Sequence, residues 1–216
     1  PLAAILGYTQ LVLRQDLPAE VRRQLETVCS EAERAGKLVR NLLTFARKHP
    51  PEKKYLGLNG IIEKTLELKA YQFRVSQIQI EKDLAPDLPK TMLDFHQIQQ
   101  VLLNLLNNAE QAISEAGAGG SIRIVTCPVG DRIEARVTDS GPGIPPDIQT
   151  RIFEPFFTTK KEGKGTGLGL SLCYGIIQEH GGTIRAESPS GQGGTFIIEF
   201  PVIAEPEQAA EAVAIG

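Results

Sequence analysis

Residues 19–47 carry a seam that few folds can absorb. Val21, Leu25, Val28, Ala32, Ala35, Val39, Leu42 and Ala46 follow one another in unbroken steps of four and three, the spacing of a coiled-coil heptad. Leu38, Leu43 and Phe45 widen the stripe. A shorter helix precedes it, with Leu2, Ile5, Leu6, Thr9, Val12 and Leu13 on one face, and Gln15-Asp-Leu-Pro18 breaks the two apart. Two helices cannot bury so broad a seam on each other. The pattern therefore predicts a hairpin that closes a four-helix bundle with a second copy of the chain. The alternative is that the seam packs on the rest of this chain.

His49-Pro-Pro51 and Lys53-Lys54 end the helical region, since two prolines stop any helix. The expected organisation is a dimerisation hairpin over 1–49, a linker over 50–57, a globular domain over 58–202 and a tail over 203–216. Within the globular part a helix is expected over Leu58–Lys69, then strands around Ile78–Lys82 and Thr91–Leu93. Asp94 reads as the cap of a helix through Glu115, ended by Gly117–Gly120. Alternation places strands around Ile122 and Ile124 and over Ile133, Ala135 and Val137. A helix over Leu168–His180 and strands over Thr183–Glu187 and Thr195–Phe200 complete the set. Strands in hairpin-like succession with interspersed helices argue for an α+β layered fold rather than a dinucleotide-binding sheet.

Net charge is −3 over 216 residues, which implies no general attraction to nucleic acid. Residues 1–54 hold ten Lys/Arg against six Asp/Glu, read as a solvated helix face. Cys29, Cys127 and Cys173 are too few and too scattered for a metal site or a disulfide framework, so a reducing cytoplasm fits. No apolar run approaches the roughly 20 residues that span a bilayer, so any membrane attachment is expected from parts upstream. The chain opens on Pro1 inside an apolar pattern and looks like a piece of a longer protein.

Three constellations carry chemistry. Continuing the alternation of Ile133, Ala135 and Val137 turns Asp139 inward, where an ionised carboxylate needs a donor such as a purine amino group. The glycines of Asp139-Ser-Gly-Pro-Gly-Ile144, Gly141 and Gly143, let backbone approach a flat ring. A capping aspartate in a turn is the plainer reading. On the helix after Asp94, Gln97, Gln100, Asn104, Asn108 and Gln111 form a stripe of carboxamides beside the apolar face. Neutral oxygens of this kind suit Mg²⁺. Asn104, Asn107 and Asn108 are poor helix formers, so their presence in one helix wants a reason. Gly165-Thr-Gly-Leu-Gly169 precedes a helix whose free N–H groups attract phosphate. Lys164 is followed by Gly165 rather than Ser or Thr, so this is not a P-loop. Lys160, Lys161 and Lys164 line the intervening segment, and Phe153-Glu-Pro-Phe-Phe157 has the aromatics to latch over a ligand.

In this order and spacing the motifs resemble those of sensor histidine kinases. Asn104-Leu-Leu-Asn-Asn-Ala109 is similar to their N box, Asp139-Ser-Gly-Pro-Gly to the G1 box, Phe153-Glu-Pro-Phe-Phe to the F box, and Gly165-Thr-Gly-Leu-Gly to the G2 box. Gly194-Thr195 resembles the last glycine motif, and the wording around Phe156–Lys160 is similar to the nitrogen-sensor type. The resemblance implies an α/β two-layer sandwich of Bergerat type behind a dimeric antiparallel hairpin. It further implies ATP and Mg²⁺ as ligands, a homodimer, and a response-regulator receiver domain as partner. By the same resemblance Asp139 takes the adenine amine, Asn108 binds Mg²⁺ with Asn104 assisting, and Gly165, Thr166, Gly167, Leu168 and Gly169 line the phosphates. Lys160 steadies phosphates or lid, and Thr195 approaches adenine, although strand alternation alone does not put it there. Gln111 stands where many relatives carry Lys. The phosphoacceptor histidine is expected five residues upstream of Pro1. This chain alone is then expected to bind Mg-ATP without phosphorylating itself, because His49, His96 and His180 read as solvated or capping residues. Two other readings share the motifs: an ATP-hydrolysing clamp of the gyrase and chaperone kind, which wants a Glu where Asn104 stands, and a non-catalytic ATP-binding scaffold.

Overall fold

In a computed structural model the described residues are 1–46, 51–117, 119–160, 165–188 and 193–205. The expectations on His49-Pro50, Lys161, Lys164, the far end of the tail, and the side chains of Leu38, Leu42, Leu43, Phe45 and Ala46 fall outside what is described. The chain divides into two compact units. One comprises Pro1–His49 with Thr158–Leu168, the other Pro50–Phe157 with Gly169–Gly216.

The first unit is a helical hairpin of α1 (Leu2–Leu13) and α2 (Ala19–Ala46). Its turn is tied by Arg22, whose guanidinium donates to the carbonyls of Leu13 (3.1 Å) and Gln15 (3.2 Å) and so satisfies acceptors left over at the end of α1. The apolar faces are only partly covered. Ile5, Tyr8, Leu11 and Val12 on α1 and Val21, Val28 and Val39 on α2 are exposed, and the last three belong to the heptad seam.

The second unit is a two-layer sandwich. Its five-stranded sheet runs β2 (Ile78–Leu84), β4 (Gly120–Val129), β5 (Arg132–Asp139), β7 (Thr195–Pro201), β6 (Thr183–Glu187). All neighbours are antiparallel except β2 and β4, which are parallel. Helices α3 (Leu58–Val75), α4 (Phe95–Ala116) and α5 (Gly169–Glu179) pack on the sheet. The core between the layers is Ile122, Ile124, Ile133, Ala135, Val137, Phe196, Ile198 and Phe200 against Ile62, Phe73, Ile98, Leu102, Leu105 and Ile177, all buried. On the other side of the sheet, buried Glu134 is ion-paired by Arg136 (2.6 Å) and Arg185 (3.2 Å).

Two elements differ from the sequence reading. The stretch expected as linker holds a strand, β1 (Lys54–Leu56), which pairs antiparallel with β3 (Thr91–Leu93) as a separate two-stranded sheet. Helix α3 runs six residues beyond Lys69. Lys69 sits on the inner face, between Leu66 and Phe73, where a charge reads as the end of an amphipathic pattern. The charge is tolerated because all three ammonium protons are used. They go to Gln72 Oε1 (2.6 Å), Asn107 Oδ1 (2.8 Å) and Glu110 Oε2 (2.7 Å), while Ser76 Oγ donates to Glu110 Oε1 (2.8 Å). A buried pair is costly unless its remaining hydrogen bonds are made, and here they are.

Candidate functional site

Asp139 ends β5 on the inner side and is 6% exposed. Its Oδ1 accepts from the N–H of Gly141 (2.8 Å) and, at greater length, from that of Gly194 (3.4 Å). Among the described residues no donor reaches Oδ2. Burial pushes the carboxyl above its ordinary value, against the pull of backbone N–H groups, that of Gly141 first. The result is a buried acceptor with Oδ1 held and, among the described residues, no donor on Oδ2, set in a wall built mainly from backbone. Glycine is required where that wall closes. Gly193 has φ +83°, and a Cβ there would strike the carbonyl of Asp139. A Cβ on Gly141 would stand 2.7 Å from Oδ1. Gly143 (φ +83°) faces the hydroxyl of Ser188.

Ser188 gives no signal in the sequence, yet it is buried and bonded to both glycine segments. Its Oγ accepts from Ile144 N–H (2.6 Å) and donates to the carbonyl of Gly193 (2.8 Å). Gln149 adds bonds from Nε2 to the carbonyls of Ile144 (2.9 Å) and Ser188 (3.2 Å). Thr195 follows Gly194 at the start of β7. It pairs with Thr138 across the ladder, the hydroxyls 2.9 Å apart, and alternation puts that pair on the face opposite Asp139. Backbone at Gly193-Gly194, not the Thr195 side chain, meets the carboxylate.

Helix α4 starts at Asp94, whose Oδ1 accepts from the N–H groups of His96 (2.9 Å) and Gln97 (3.1 Å). The five carboxamides Gln97, Gln100, Asn104, Asn108 and Gln111 share one half-buried edge of the helix. Asn104 Nδ2 donates weakly to the carbonyl of Gly169 (3.4 Å), the first residue of α5. Gln111 donates to Glu115 (3.1 Å). Asn107 is not part of this edge, and the acceptor it offers Lys69 supplies the reason for its place in the helix. Among the described residues no group of three or more His, Cys, Asp or Glu gathers as a metal centre.

In the loop before α5, Gly165 lies against the Thr158 hydroxyl and the Lys160 side chain, and Gly167 has φ +64°. The Thr166 hydroxyl accepts from Leu168 N–H (3.3 Å), and Lys160 N–H donates to Thr158 Oγ1 (3.2 Å). Of the expected aromatic latches, Phe153 instead packs inward, its ring 6.5 Å from Phe196 and edge-on to it. Phe157 lies under the Arg151 guanidinium (4.6 Å). Phe156 is the exposed ring, on backbone at φ +67°. His96 is exposed in the first turn of α4. His180 is neither solvated nor a cap. It is buried, with Nδ1 donating to the Ile176 carbonyl (2.8 Å) and Nε2 accepting from Asp94 N–H (3.0 Å), which fixes the neutral tautomer. Burial lowers its pKa. Asp94 Oδ2 in turn accepts from Glu52 N–H (2.8 Å), and Lys53 Nζ donates to the Glu179 carbonyl (2.6 Å). The segment entering the second unit is thereby knitted to the start of α4 and the end of α5.

Two family models match the chain. That of histidine kinase-, DNA gyrase B- and HSP90-like ATPases covers residues 93–204, and that of the His Kinase A (phospho-acceptor) domain covers residues 1–51. The chain is 38% identical over 203 residues to the signal transduction histidine-protein kinase AtoS of Escherichia coli strain K12, covering 94% of this chain and 33% of AtoS. Its structure is similar to full-length ShkA in complex with AMPPNP, with TM-score 0.75, 27% identity, and coverage of 95% of this chain and 44% of ShkA. It is also similar to the histidine kinase ThkA in complex with the response regulator protein TrrA, with TM-score 0.72, 29% identity, and coverage of 94% of this chain and 58% of ThkA. The chain thus spans about a third of the length of AtoS and roughly half of the two solved kinases.

Proposed function

The chain belongs to the sensor histidine kinases, and on that premise we propose that it binds Mg-ATP and directs the γ-phosphoryl to a histidine outside this chain, then to a response-regulator aspartate. The observation that carries the reading is Asp139. A buried carboxylate with Oδ1 held by two backbone N–H groups and Oδ2 open suits a single donor on a flat base, which is what the adenine 6-amino group offers.

The other residues are assigned from their motifs and their chemistry. Gly141 and Gly143 supply backbone close enough to cover a ring. Asn108, with Asn104 one turn earlier, offers neutral oxygens to a cation that keeps waters and shares phosphate oxygens. Those oxygens would hold Mg²⁺, which would supply positive charge to offset the charge that develops on the phosphates. Helix α5 begins at Gly169, so its first N–H groups and its positive dipole end attract the phosphates. Gly165, Thr166, Gly167 and Leu168 extend that backbone, and Lys160 adds a positive charge to the same loop. Catalysis then rests on positioning and charge stabilisation rather than covalent chemistry by the protein. Asn104 stands where a hydrolytic clamp wants a Glu base, which favours transfer over release to water.

The dimer reading is supported by Val21, Val28 and Val39, exposed along the heptad seam. A second hairpin covering them completes the bundle. No described helix is long and apolar enough to cross a membrane.

The test is to incubate the parent protein with ATP labelled at the γ-phosphate, in the presence of Mg²⁺. The expected product is an acid-labile, alkali-stable phosphoprotein whose label passes to an isolated receiver domain. Release of inorganic phosphate with no phosphoprotein at any time would overturn the reading in favour of the clamp.

A further inference from the structure

We infer that Ser188 is a positioning residue for purine selection. Its hydroxyl sets the spacing of the two glycine segments that flank Asp139. The inference rests on the nucleotide reading of that site and adds the residue that makes the site selective.

Asp139 presents Oδ2 to a ligand only if the carboxylate cannot rotate, and rotation is resisted by the bonds to Oδ1. One of these, from Gly141, is short (2.8 Å). The other, from Gly194, is at the outer limit (3.4 Å). A drift of a few tenths of an ångström at Gly193-Gly194 removes it. The ladder holds Gly194 only through its carbonyl, which accepts from Asp139 N–H (2.9 Å), and that bond leaves the preceding Gly193–Gly194 peptide, which carries the Gly194 N–H, able to tilt. Ser188 prevents it. Its single proton goes to the Gly193 carbonyl at 2.8 Å, and a lone pair takes the Ile144 N–H at 2.6 Å. One buried oxygen therefore ties the end of the Asp139–Ile144 segment to the residue just before Gly194. Gln149 braces the same junction from outside through the carbonyls of Ile144 and Ser188. Besides the Asp139 carboxylate itself, no other side chain among the described residues bonds both segments.

A residue that only stabilises the loop changes melting and weakens all nucleotides alike. A residue that aims Oδ2 changes the preference for a 6-amino group. Inosine triphosphate, which carries an oxygen where adenine has that amine, separates the two. The experiment titrates wild type, Ser188→Ala, Gln149→Ala and Asp139→Asn with ATP and with inosine triphosphate by calorimetry, alongside melting curves without nucleotide. Ser188→Ala is expected to lower the ATP-over-inosine preference roughly tenfold, the worth of one buried hydrogen bond. Gln149→Ala shifts it in the same direction by less. A folded Ser188→Ala protein with the wild-type preference overturns the inference. If Ser188→Ala does not fold, Gln149→Ala decides, and an unchanged preference there overturns it equally. Should Asp139→Asn abolish the preference while both other variants keep it, the nucleotide site stands and only the role of Ser188 falls. Wild type binding both nucleotides equally, with Asp139→Asn no different, sinks the nucleotide reading and this inference together.

Discussion

Replacing Asp139 by Asn keeps the shape of the site and changes only what it can accept. The amide oxygen can take the place of Oδ1 and keep the bonds from Gly141 and Gly194. The NH₂ group then occupies the position of Oδ2 and faces the adenine amine, a donor against a donor. A hydrogen bond to a charged group is worth about 1.5–3 kcal/mol. At about 1.4 kcal/mol per factor of ten, its loss weakens ATP binding by roughly 10- to 150-fold. Apo stability moves the other way. The folded state raises the carboxyl pKa because burial penalises its charge. An acid raised in the folded state favours folding at pH below its unfolded value, 3.8, and that contribution is lost as pH rises through the folded value. At neutral pH the ionised group therefore costs stability, and neutral Asn removes the cost. Calorimetric titration with ATP, paired with urea unfolding at pH 7 and near pH 4 without nucleotide, reads both effects. The variant is expected to bind ATP far more weakly, to unfold at the same or higher urea at pH 7, and to lose that advantage in acid. Wild-type ATP affinity, or a variant less stable at pH 7, would refute the assignment of Oδ2 as the open acceptor.

Four further outcomes are expected. Asn108→Ala should remove the Mg²⁺ dependence of ATP binding, and a titration in which Mg²⁺ still tightens ATP as in wild type counts against the carboxamide edge. The protein should elute as a dimer, with a light-scattering mass near twice the 23.5 kDa of one chain; a monomer at high concentration rejects the bundle. His180 is held neutral, with its pKa below the ordinary 6.5, so its contribution is intact above that value. Stability should fall as pH drops below 6.5, where the unfolded chain takes up the proton first, and level off under the folded value; His180→Gln should flatten that slope in urea midpoints. Lys69→Met strands Glu110 without its cation and should cost roughly 3–5 kcal/mol, while adding Glu110→Leu should restore most of it. A double variant as unstable as the single would mean the network is more than a satisfied pair.

What the amino-acid order determines by itself is periodic or local. The four–three seam of α2, the buried stripe of α4, the cap at Asp94 and the alternation of Ile133, Ala135 and Val137 each repeat within a few residues. A face is therefore readable without knowing what it meets. Alternation alone turns Asp139 inward, and the order of the glycine clusters carries the family resemblance. What escapes is every feature whose partner is distant in the chain. Lys69 looks like the end of a helix until Glu110, 41 residues on, is beside it. The pairing of Thr195 with Thr138 comes from the register of β5 and β7, which local sequence does not carry. The parallel pairing of β2 with β4 and the strand hidden in Lys54–Leu56 depend on a ladder partner rather than on local preference. His180 reads as solvated until Asp94, 86 residues before it, donates to its ring. Periodicity says which way a side chain points. Only the packed chain decides which oxygen of Asp139 is already bonded and which stays open, because the donors that settle it are backbone N–H groups, identical at every residue but proline and placed by the fold alone.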